Sequence, residues 1–195
     1  MMLVQLPEGG LRMVLQPDEA AMLDQLVTQL LQLLQSHSSM ALDADPLFAS
    51  LEVGGSESKP EDPALARLFP DAYEESDDAD RFRRVSEQGM LNRKVQDALA
   101  VTSAIGLGGD PFAALEDDDL EIEVDIAFDE LPTWARTLTA LRLAIAARIG
   151  LEREADHARL EADDEARSTV LVFDWLAAIL DAVMRARMAG TGRSA

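Results

Sequence analysis

The chain has 195 residues, with 37 acidic against 17 basic side chains, a formal net charge of −20, 48% hydrophobic but only 5% aromatic residues, and no cysteine. The length suits one domain with a sizeable aliphatic core, and the charge excludes a phosphate-binding basic face of useful size and disfavours anionic membranes. The missing thiol excludes disulfides, thiolate catalysis, cysteine-ligated metal and a thiol redox switch.

Residues 3–15 place two alternating apolar runs on either side of Pro7-Glu8-Gly9-Gly10, the pattern of a hairpin with a four-residue turn. A helix then starts near Pro17-Asp18-Glu19, with Met22, Leu23, Leu26, Leu30, Leu33 and Leu34 at helical spacing. Periodicity stops at Ser36, and residues 36–62 read as a flexible acidic and polar insertion in a single helix-rich domain spanning 1–189. Asp62 caps a short helical turn over 63–69 that Pro70 stops. Acidic residues follow, among them Asp71, Asp77 and Asp78, with Tyr73 between.

A third helix is expected over about 78–103, with Phe82, Val85, Leu91, Val95, Ala98, Leu99 and Thr102 inward and a break or kink at Gly89. Its basic residues Arg81, Arg83, Arg84, Arg93 and Lys94 read as a solvated face. After a loop over 106–119, Leu120, Ile122, Val124 and Ile126 alternate with Glu121, Glu123 and Asp125, which predicts a strand added to the hairpin, with a strongly negative outer face.

Residues 129–150 hold the most self-consistent helix, on which the others are expected to pack. Leu131, Trp134, Leu138, Leu141, Ile145 and Ile149 form one stripe, Pro132 falls in the first turn, and Arg148 then Gly150 close the far end. Arg142 lies about 40° from Leu138, inside that stripe, and Glu19 lies about 20° from Leu26 inside the stripe of the first long helix. The two misfits suggest one ion pair between helices, the alternative being that Arg142 sits at the rim of its stripe and receives the acidic group of a partner protein. A last helix is expected over about 164–187 with Val172, Leu176, Ile179, Leu180 and Val183 inward, and residues 190–195 as a frayed tail. The fold class is therefore α+β, predominantly α-helical, with about four longer helices packed on a small antiparallel sheet.

Catalysis requires a nucleophile with a base, a metal set or a phosphate cradle. His37 and His157 are the only histidines, and both read as surface residues. Gly106-Leu107-Gly108-Gly109 lacks the lysine of a phosphate loop, and the acids at 117–125 lack the central glycine of an EF-hand. No catalytic residue, metal ligand or cofactor is expected, and no apolar run is long enough to span a membrane. The start also lacks a charged leader, so the sequence reads as cytoplasmic.

Trp134, Thr137, Leu138, Leu141, Arg142, Leu143 and Arg148 resemble the W-x-x-T-L-x-x-L-R-L-x-x-x-x-R core of a small actinobacterial family. That family, formerly a domain of unknown function, is now named for the oxidative-stress transcriptional regulator AosR. Residues 62–73 and the segment Asp174-Trp175-Leu176 extend the resemblance over most of the chain, which departs from the family pattern at Ala140, Ala146 and Phe173. The resemblance implies a non-enzymatic regulator of transcription. With this charge it would touch a sigma factor or RNA polymerase and not read DNA directly. Asp71, Tyr73, Asp77 and Asp78, and the strand acids Glu121, Glu123 and Asp125, are the expected contact residues. The alternatives are an adaptor in Clp-type regulated proteolysis, which the family's gene neighbourhood implies, and a structural homodimer.

Overall fold

The structure, a computed structural model, describes residues 1–7, 9–42, 60–73, 76–107 and 121–191. Strands β1 (Met2–Gln5), β2 (Leu11–Leu15) and β3 (Ile122–Ile126) form an antiparallel sheet in the order β1-β2-β3. The helices are α1 (Pro17–Leu42), α2 (Pro63–Leu68), α3 (Ser76–Ile105), α4 (Leu131–Ile149), α5 (Glu154–Glu161) and α6 (Arg167–Thr191). The fold is α+β and mostly helical, as the periodicities predicted.

Alternation sets the sheet. Leu11, Met13 and Leu15 pair with Ile126, Val124 and Ile122 and turn one face onto the helices, where Met13, Leu15 and Ile126 are wholly buried. The hairpin closes where Gly9 donates its N–H to the Leu6 carbonyl, with Gly9 at φ 95°, a conformation glycine reaches without strain. Gly10 has a different reason to be glycine: a Cβ there would lie 2.4 Å from the Ile126 carbonyl oxygen.

The outer face differs from the expected acidic wall. Register places Arg12 opposite Asp125, which it grips through Nε and Nη2 at 2.6 Å each, while Nη1 lies 3.1 Å from Glu123. Exposed Met2 and Val4 on β1 make the rest of that face apolar. Strand alternation showed the acids of β3 but not the strand that would sit beside them.

Helix α4 packs against α1, α2, α3 and α6 and is buried on more than its one predicted stripe. Leu131, Trp134, Leu138 and Leu141 are in the core, and the small Ala135, Ala140 and Ala146 are buried as well, which lets neighbouring helices approach from several sides. Gly150 ends the helix in the left-handed region at φ 68° and donates its N–H to the Ala146 carbonyl. Charged pairs at the edges tie α4 to its neighbours: Arg148 to Asp62 at 2.6 Å and Arg136 to Asp97 at 2.7 Å through both carboxylate oxygens.

Four local expectations are corrected. Helix α1 continues to Leu42, so residues 36–42 are helical and not part of a loop; residues 43–59 of the expected insertion lie outside the described residues. His37 is not on the surface but 6% exposed, stacked on Phe69 with ring centroids 5.2 Å apart and hydrogen-bonded to buried Glu87 at 2.7 Å, so tertiary packing carries the helix past its apolar stripe. Helix α3 runs unbroken through Gly89, and it buries Glu87 and Asp97 while exposing Phe82 and Leu99. Helix α6 continues through Gly190 to Thr191, and Gly190 lies so close to the Phe128 ring that an added Cβ would collide with it. The short helix α5 had no clear periodic signal. Asp156 starts it by accepting the backbone N–H of Arg153 at 2.9 Å, and Leu160 alone of its residues is buried.

Candidate functional site

Three surfaces collect the residues that the sequence singled out. The first follows α2, where exposed Asp71, Tyr73 and Asp78 flank the start of α3. Tyr73 and Phe82 meet edge to face, 5.8 Å between centroids, and remain 53% and 41% exposed. An open aromatic pair beside carboxylates is the composition of a protein-contact patch, since aromatics supply area and acids supply attraction to a basic partner. Asp77 lies in the first turn of α3, and its side chain is outside the described residues.

The second is the outer face of the sheet. Arg12 is engaged with Glu123 and Asp125, and Gln16 donates Nε2 to Glu121 at 3.0 Å. The hydrogen bond and charge of Arg12 hold the Asp125 carboxyl below the usual carboxylate range. These three acids share a face, but their field is partly cancelled inside the protein.

The third is centred on Arg142. The expected Glu19–Arg142 pair does not form. Glu19 caps the start of α1, accepting the Gln16 N–H at 2.9 Å and lying 2.9 Å from the Met1 ammonium. Helices α1 and α4 face each other around Leu30, Leu33, Leu141 and Ile145, about three turns along α1 from Glu19. Two residues can each lie within a helical stripe and still be far apart along the axes; angular position alone missed this.

Arg142 instead turns toward α6, where its Cζ stands 4.2 Å from the Phe173 ring centroid. Beside it opens a groove of about 580 Å³ between α4, α5 and α6, with Arg67 entering from α2. Leu143, Ala146 and Leu180 give it apolar walls. Arg67 donates Nη1 to the Leu151 carbonyl at 3.2 Å, and His157 lies 3.0 Å from both carboxylate oxygens of Asp174. Arg67, His157 and Phe173 were not named as site residues from sequence. The one signal was Arg142 itself, an arginine in an apolar stripe.

Most of the remaining motif residues pack in the core or at its edge. Trp134, Leu138 and Leu141 are core, Leu143 is 36% exposed at the groove, Arg148 holds Asp62, and Trp175 is half-buried against the core with its Nε1 unpaired among the described residues. Burial raises the Asp62 pKa, but the N–H groups of Leu65 and Ala64 together with Arg148 outweigh it, so the carboxyl stays below its ordinary value. No group of three or more histidine or acidic side chains placed to hold a metal occurs among the described residues. No helix among them is long and apolar enough to cross a membrane.

The model of a domain of unknown function, DUF2017, matches residues 1–187. A Mycobacterium leprae protein named "Putative oxidative stress regulator AosR" is 28% identical over 183 residues, covering 91% of this chain and 82% of its own. No solved structure matches the chain.

Proposed function

The chain belongs to the DUF2017 family, and from that premise we propose that it is a non-enzymatic regulatory protein of the oxidative-stress response that works by contact with the transcription machinery. The observation that carries this reading is its similarity, along nearly its whole length, to a protein named as an oxidative stress regulator. The charge of −20 supports protein contact over DNA reading, because a duplex repels such a chain while basic faces of a sigma factor or RNA polymerase attract it. The patch of Asp71, Tyr73, Asp78 and Phe82 is the better contact region, since its aromatic pair is open. The acids Glu121, Glu123 and Asp125 are a second, weaker one because Arg12 and Gln16 already engage them.

With no cysteine, the chain has no thiol with which to sense an oxidant, so another protein senses or this one acts constitutively. Capture of the tagged protein from lysate of its source organism, with and without peroxide, tests the reading. RNA polymerase subunits or a sigma factor should co-purify and be identified by mass spectrometry. Recovery of Clp components, or of nothing beyond the protein itself, would overturn it in favour of an adaptor or a homodimer.

A further inference from the structure

The regulatory reading leaves the Arg142 groove without a role. We propose that this groove is a binding site for a small organic monocarboxylate with an apolar body, the carboxylate meeting Arg142 and Arg67 and the body lying along Leu143 and Phe173.

Volume comes first: about 580 Å³ falls within the roughly 300–1,000 Å³ of small-molecule sites and is lined mainly by apolar groups. Charge comes second. The chain carries 37 acids for 17 bases, and among the described residues Arg12, Arg136 and Arg148 each hold a carboxylate. Arg142 does not. Among the described residues it has no ion pair, and its buried Nε has no hydrogen-bond partner. Arg67, on the same groove, is spent on a single carbonyl. A guanidinium presents a planar fork of donors that matches a carboxylate, and stacking on Phe173 fixes the orientation of this one before anything binds.

Exposed Glu152 and Glu154 also line the groove and leave Arg142 and Arg67 unpaired. Arg153 lines the groove as well, so three arginines stand against these two glutamates, an excess of one positive charge that a single carboxylate balances and a polyanion exceeds. The inference does not rest on the regulatory reading; ligand uptake by the purified protein is measured whether or not polymerase is its partner.

Titration calorimetry with octanoate and with octan-1-ol, which share a chain length and differ in the head group, tests the proposal. Octanoate should bind one to one and at least about tenfold more tightly than octan-1-ol, and Arg142→Gln should remove that preference while leaving octan-1-ol unchanged. Leu143→Trp, which fills the groove from an exposed position, should block both ligands; it localises the site even if Arg142→Gln fails to fold. Equal affinity for the two ligands, no saturable octanoate binding, or unchanged binding by either folded variant would overturn the proposal.

Discussion

At the scale of residues, charged pairs fasten α4 to its neighbours, and they differ in what they leave behind when broken. Asp97 is only 10% exposed while Arg136 is 49% exposed, so Arg136→Ala strands a nearly buried carboxylate, with nearby Lys94 as partial compensation. We expect a loss of about 1–3 kcal/mol in urea unfolding. Asp62 caps α2 through the N–H groups of Ala64 and Leu65, and Asp62→Ala should cost about 1–2 kcal/mol at neutral pH. Its folded pKa is depressed, so its contribution is present above the ordinary carboxylate value and is lost as pH falls through the folded one. The gap between Asp62→Ala and the parent should therefore narrow below about pH 4, and a gap unchanged down to acid unfolding would contradict it. Sequence showed that Arg142 was out of place and that Asp62 was a cap. It did not show that Arg142 would find Phe173, because that contact depends on how α6 lies across α4.

Element by element, what was legible depended on local signals being strong. The hairpin, β3 and α4 carry strict alternation or helical periodicity with turn residues and caps at their ends, and all three formed close to where those signals placed them. The end of α1 past Ser36 and all of α5 lacked such signals. One is held by His37 against Phe69 and Glu87, the other by Asp156 at its start and Leu160 in its last turn, contacts made by single residues. Two glycines make opposite predictions. At Gly89, inside α3, an added Cβ meets nothing within 4 Å, so Gly89→Ala should stabilise the protein by up to about 1 kcal/mol. At Gly10 the same methyl would meet the Ile126 backbone, so Gly10→Ala should lower the thermal midpoint and disturb the β2–β3 pairing seen by amide exchange. A stabilised Gly10→Ala would show that the strands are less closely held.

For the molecule as a whole, the net charge of −20 is both a cost and a means of recognition. Self-repulsion opposes the compact state, and added salt screens it, so the thermal midpoint should rise between about 20 mM and about 500 mM sodium chloride. A fall would mean that pairs such as Arg12 with Asp125 outweigh the net repulsion. The same field gives the regulatory reading its most direct test, the equilibrium binding of the purified chain to RNA polymerase and to a promoter duplex across a salt series. Contact through acidic surfaces predicts polymerase binding that weakens steeply as salt rises, reduced by Asp71→Asn with Asp78→Asn, and no measurable affinity for the duplex. Promoter binding in the absence of polymerase, or no polymerase binding at any salt, would contradict it.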